Sequence, residues 1–136
     1  MAVEIQGRYA GQLKVSLEHG PSGATLHTAA PVDNNGDGSS FSPTDLVAAA
    51  LGSCMVTIIG IVAERDGIDL AGLGFRVEKH MRSDPRRIDA LPVEITMPAG
   101  LSDGQRKKLE RAAMGCPVGR SLLAEIDHPV DFQYPD

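Results

Sequence analysis

From Leu46 to Ala63 the chain reads LVAAALGSCMVTIIGIVA, 18 residues without a charge in a protein of 136. A stretch of that kind sits at the lower edge of the roughly 17–25 apolar residues that cross a bilayer. The run is rich in small residues and carries Ser53 and Thr57, and the sequence around it alternates and turns like a globular domain. We therefore read it as a helix buried on all sides at the centre of a fold. Ser42-Pro43-Thr44-Asp45 supplies its start. Ser42 suits the N-cap, Pro43 suits the first helical position, and Asp45 falls in the first turn, where the helix dipole favours negative charge. Asp66-Gly67 supplies its end. Ala48, Gly52 and Gly60 recur at multiples of four, which predicts a flat side suited to close helix–helix approach.

The rest of the composition bounds what surrounds that helix. The length fits one domain, residues 1–136. Hydrophobic residues make up 42% and aromatic residues only 4%, so Ala, Val, Ile, Leu and Met must build the core. Thirteen basic against eighteen acidic residues leave a net charge of −5 with no basic run to offset it, which argues against nucleic acid as a partner. MAVEIQGRYAGQLKV has no basic n-region leading to an apolar h-region, and cysteine is sparse. The expectation is a cytoplasmic protein with reduced thiols and no membrane attachment.

Residues 2–9 and 12–18 alternate as strands around an Ala10-Gly11 turn, and Ala24 to Ala30 continues as a third strand. The polar loop Val32 to Ser42, with Asp33-Asn34-Asn35-Gly36-Asp37-Gly38 inside it, reads as mobile turn chemistry. After the long helix, residues 71–82 and 90–98 are predicted as strands separated by Ser83-Asp84-Pro85-Arg86-Arg87. An amphipathic helix starts at Ser102 and stops at Gly115. Cys116-Pro117 opens a short helix, and His128 to Pro135 closes the chain as a strand. Strands and helices that fall in blocks, without βαβ alternation, give an α+β class.

Two cysteines carry most of the chemistry. Cys54 lies among Ala50, Leu51, Ile58 and Ile61 of the apolar helix. Taken alone it reads as a packing residue, because free cysteine behaves as a small hydrophobe and apolar surroundings raise a thiol pKa. Cys116 precedes Pro117 at a helix start, where the dipole favours thiolate, and Arg120 follows four residues on. Local electrostatics thus make Cys116 the more acidic thiol. His19, His27, His80 and His128 are scattered without metal-ligand spacing, and CxxC, a Gly-rich phosphate loop and GxSxG are all missing. Nothing calls for a metal or an organic cofactor. Asp45 is a first-turn dipole partner that, turned inward, could orient a cation activating a thiol.

FSPTDLVAAALGSCM followed by CPVGRSL, with 62 residues from one cysteine to the next, resembles the OsmC/Ohr family of hydroperoxide-reducing, antioxidant stress proteins. The family pattern is a helix start of the type (N/S)-P-x-x-L leading to a cysteine on a long helix, then C-P-(V/I)-x-(K/R)-x-L. The resemblance spans nearly the whole chain. It implies antiparallel sheets wrapped around long central helices in an intertwined homodimer. It implies that Cys54 is the peroxidatic and Cys116 the resolving cysteine of a thiol-dependent peroxidase, reversing the electrostatic ranking. Hydroperoxide would be the substrate, and an external dithiol, a lipoyl-type one among the candidates, the reductant. Well-characterised branches carry Glu directly after the motif proline and use an Arg from the N-terminal half. Here Thr44 stands there, with the acid at Asp45, and Arg8 and Lys14 are the candidate cations. The departure resembles less-characterised branches. It leaves open an OsmC-fold protein that binds thiols or small ligands without efficient turnover, and a structural dimer whose cysteines merely pack.

Overall fold

Alternation in the first thirty residues folds as predicted into a three-stranded antiparallel sheet. In the computed structural model, which describes residues 1–136, β1 (Ile5–Gly11), β2 (Lys14–His19) and β3 (Thr25–Ala29) pair in that order. The first turn lies at Gln12-Leu13 rather than at Ala10-Gly11. Both residues take left-handed backbone angles (φ 56° and 61°), while Gly11, at φ 87°, is a bulge residue still paired with Lys14. Two left-handed central residues match the twist of a hairpin, although glycine and asparagine meet the requirement at lower cost. The Leu13 N–H donates to the Tyr9 hydroxyl at 3.2 Å.

The polar loop that follows β3 is tied down rather than free. Its N–H groups at Gly36 and Gly38 donate to the carbonyls of Pro31 and Ala30 at 2.9 and 3.2 Å. A Cβ at Gly36 would stand 1.8 Å from the Ala30 carbonyl oxygen, so only glycine fits there. Lys14 pairs with Asp37 at 3.0 Å. That contact and the Ser39 hydrogen bonds bring the Asp37 carboxyl down to about 2.

The chain clusters into two compact units, Met1–Leu46 and Val47–Asp136. In the first, only Thr28, Ala29 and Ser42 are buried. One face of its sheet carries Ile5, Tyr9, Val15, Leu17 and Leu26, of which Ile5 and Tyr9 are 63% and 65% exposed.

Helix α1 spans Pro43–Asp66, and Gly67 follows it at φ +67°. Ser42 and Asp45 close a reciprocal cap at its start: the Asp45 N–H donates to Ser42 Oγ at 3.1 Å and the Ser42 N–H to Asp45 Oδ2 at 2.9 Å. Burial is one-sided, contrary to the expectation of a helix covered all round. Leu51, Met55, Ile59 and Ala63 are at most 1% exposed, whereas Ala50, Ser53, Thr57 and Ile61 form an exposed stripe. The small residues also serve differently from the prediction. Gly52 receives the Phe75 ring, which would lie 2.3 Å from a Cβ there, and Gly60 has nothing within 4 Å.

Each of the two long strands predicted next is divided. Residues 71–82 form β4 (Gly74–Val77) and β5 (His80–Arg82), and the segment up to residue 98 forms β6 (Arg87–Ala90) and β7 (Val93–Thr96). Pro92 lacks the N–H that a continuous ladder needs, so the chain passes there from the β5–β6 hairpin into a β4–β7–β8 sheet. The last strand, β8 (Val130–Gln133), pairs with β7 in parallel, the one departure from antiparallel pairing among the named strands. Helix α2 (Asp103–Met114) begins with a Ser102–Gln105 capping box, and α3 (Pro117–Ser121) follows at once. The core of the second unit joins Leu51, Met55 and Ile59 of α1 with Leu91, Val93, Ile95, Met97, Leu109, Ala113 and Cys116. The result is the expected α+β fold.

Candidate active site

Cys116 sits where α2 ends and α3 begins. Its N–H donates to the Ala113 carbonyl at 3.2 Å, its carbonyl accepts from Arg120 N–H at 3.2 Å, and its Sγ accepts from Gly119 N–H at 3.3 Å. Pro117 at the first helical position fixes the chain direction just after it. The thiol is therefore held by backbone on both sides, and only 1% of the residue is exposed.

Cys54, half-buried on α1 and packed against the core, is a close enough neighbour of Cys116 to act on its thiol. Tertiary packing thus brings together the only two cysteines of the chain, both as free thiols. A buried thiol paired with another is poor at shedding its proton. Burial pushes the Cys116 pKa up, and the adjacent Cys54 adds to the rise. The Gly119 and Val118 N–H groups pull it down without prevailing. At Cys116 the N-cap effect that the sequence pointed to is thus outweighed by the desolvation that packing imposes.

The other candidates lie in the first unit. Asp45 caps α1 through Ser42. Lys14 is engaged by Asp37. Arg8 stands on the polar face of the first sheet with Gln6, Ser16, Glu18, Thr25 and His27, around a shallow cavity of about 370 Å³. No group of three or more His, Cys, Asp or Glu side chains is arranged to hold a metal ion.

One neighbour escaped the sequence reading. His128 alternates inward with Ile126, Val130 and Phe132, and its Nδ1 is buried without a hydrogen-bond partner. Its Cε1 lies 3.7 Å from the position a Cβ would take on Gly119, and Cys116 Sγ lies 3.4 Å from the same point, with Leu51 Cδ1 at 3.6 Å. The only signal in the sequence was a histidine in an inward register, which has no meaning until the chain folds.

The family model for OsmC-like proteins matches residues 36–130, a span that contains both cysteines. The chain belongs to that family. A proposed osmotic stress induced and detoxification response protein from Psychrobacter arcticus shares 42% identity with this OsmC-like chain, at a TM-score of 0.90, over 95% of this chain and 94% of the other. The organic hydroperoxide resistance protein OsmC of Legionella pneumophila is 21% identical at a TM-score of 0.73, covering 98% and 97% of the two chains. The organic hydroperoxide resistance protein OhrB of Bacillus subtilis is 14% identical at 0.66, covering 98% of each. At these lower identities the similarity speaks to the fold. No curated protein sequence is significantly similar to the chain.

Proposed function

We propose that this OsmC-like protein is a thiol-dependent peroxidase that reduces organic hydroperoxides through Cys54 and Cys116. The observation that carries the reading is the meeting of two thiols 62 residues apart in the chain, one half-buried and one buried. Cys54 thiolate attacks the distal peroxide oxygen, the O–O bond breaks, and the alkoxide leaves as an alcohol once protonated. Cys54 becomes a sulfenic acid. Cys116 then attacks that sulfur, water leaves, and a disulfide remains for an external dithiol to reduce. The roles follow the thiols' settings: a thiol whose proton is held by burial suits the second, resolving step better than the first. Leu51, packed beside the Cys116 region, and the apolar helix around Cys54 favour an organic hydroperoxide over hydrogen peroxide. Asp45 is the orienting carboxylate of this reading, at the start of the helix that carries Cys54. The setting proposed is the reducing cytoplasm.

A homodimer belongs to the same reading. The apolar sheet face with Ile5 and Tyr9, together with the α1 stripe ending at Ile61, leaves in water surface of the kind a second copy would cover.

The test is a free-thiol count before and after one equivalent of cumene hydroperoxide. Wild type should lose both thiols to an intrachain disulfide, and Cys54→Ser should keep its remaining one. In Cys116→Ser a dimedone-reactive sulfenic acid should persist at Cys54. Survival of both wild-type thiols would sink the peroxidase and leave a thiol- or ligand-binding OsmC fold in its place.

A further inference from the structure

Disulfide closure needs the Cys116 proton to leave, and the surroundings of that thiol oppose its departure as a free ion. The backbone around it offers N–H donors, from Gly119 above all, and Cys54 is oxidised at this step, so the thiol proton needs another acceptor. The imidazole of His128 supplies one. It is seated by the strand backbone on both sides. Leu91 N–H donates to the Asp127 carbonyl at 2.8 Å, Asp127 N–H to the Asp89 carbonyl at 3.2 Å, and Val93 N–H to the Pro129 carbonyl at 2.9 Å. Between these anchors the side chain must point inward, and the ring carbon between its two nitrogens faces Gly119. Gly119 has no side chain to separate the ring from the thiol: Cys116 Sγ and His128 Cε1 lie within 3.7 Å of the point its Cβ would take. A buried imidazole nitrogen with no partner is costly to keep and calls for an explanation.

We propose that His128 accepts the Cys116 proton as that thiol attacks oxidised Cys54, and returns it to the departing hydroxide. Written in full, Cys54–SOH and Cys116–SH give Cys54–S–S–Cys116 and water, with the imidazole unchanged at the end. The other ionisable groups near this corner are Cys54 beside Cys116, the Arg120 guanidinium 3.6 Å from the Cβ position of Gly115, and Asp127, which is exposed. None of them offers a buried base. The inference rests on the two-cysteine reading above and adds a proton acceptor to its second step.

The experiment bypasses peroxide. One equivalent of 2,2′-dithiodipyridine forms a mixed disulfide on the more exposed Cys54 and releases one pyridinethione. Attack by Cys116 then closes the protein disulfide and releases a second. Wild type should give both releases. In His128→Gln the first should be unchanged, and the second about 100-fold slower at pH 7, recovering only as pH rises into the alkaline thiol range. Gly119→Ala guards against a folding defect. Its new methyl meets neighbours at ordinary contact distances of 3.4–3.7 Å and should slow the second release alone by standing between ring and thiol. Two releases with the same pH profile in wild type and His128→Gln would overturn the role of His128 and leave the two-cysteine reading intact. One release without a second in wild type would overturn both.

Discussion

A cysteine at a helix N-cap and a cysteine inside an apolar core are pulled in opposite directions, and Cys116 is both. Its sulfur accepts the Gly119 N–H at 3.3 Å, yet its pKa rises because burial costs the thiolate more than that N–H returns. The consequence for titration is direct. In Cys54→Ser, where burial remains, thiolate absorbance at 240 nm should show a single thiol with a midpoint above the ordinary value of about 8.5. The sign for stability follows. A folded pKa above the unfolded one favours the protonated folded state, so this contribution is full below about pH 8.5 and is lost as pH rises through the folded value. Denaturant melts of wild type should therefore weaken on the alkaline side, and Cys116→Ala should flatten that limb. Asp37 works the other way at acid pH. Its carboxyl, held at about 2 by Lys14 and Ser39, keeps the loop ion pair until the pH falls from roughly 4 towards 2. Limited proteolysis should find cleavage between residues 31 and 42 only in that acid window. At this scale the sequence exposed the two thiols and the capping residues Ser42 and Asp45, because each rests on local chemistry. It hid the partners of each thiol, and it hid His128, because those depend on residues far away in the chain.

Elements whose signals lie within a few residues formed where they were expected. Ser102 and Gln105 make a capping box that starts α2, with hydrogen bonds of 3.1 and 2.9 Å in the two directions. Ser102→Ala should cost about 1 kcal/mol and lower the melting temperature by about 3–5 °C. The first hairpin shows the opposite case. Gly11 looks like the turn, but the left-handed pair is Gln12-Leu13, one bulge further on. Leu13→Gly should stabilise the chain by about 1 kcal/mol, read as an upward shift of the denaturant midpoint, because glycine takes φ 61° without the strain leucine bears. The strand predicted over 90–98 is cut at Pro92 for a reason visible in the sequence, a missing N–H, whose force depends on which strands flank it. The parallel β7–β8 pair was out of reach, since its partners are some 37 residues apart and share no turn.

On the scale of the molecule, the uncharged run from Leu46 to Ala63 is too apolar for the cover it has. Leu51, Met55 and Ile59 are sealed, while Ile61 on the other side is 51% exposed. The three-stranded sheet of the first unit has the same imbalance, with Ile5, Tyr9 and Leu26 in water. A second copy covering these faces makes Ile61→Lys a test. In the proposed dimer it should shift sedimentation towards the monomer, whereas an exposed site on a true monomer would tolerate it within about 0.5 kcal/mol. An unchanged dimer would place the interface elsewhere.

What the sequence determined alone was what can be read through local or periodic chemistry. That covers an α+β class, one long apolar helix capped by Ser42 and Asp45, a short helix opened by Cys116, and two cysteines inside the span that matches the OsmC-like family. Tertiary structure alone decided which residues those cysteines meet, which side of the helix is sealed, and how strongly burial holds the Cys116 proton. The reason is physical. Helix caps and strand alternation are settled by neighbours a few bonds away, whereas desolvation and thiol–thiol contact are set by whatever distant chain packs against the site.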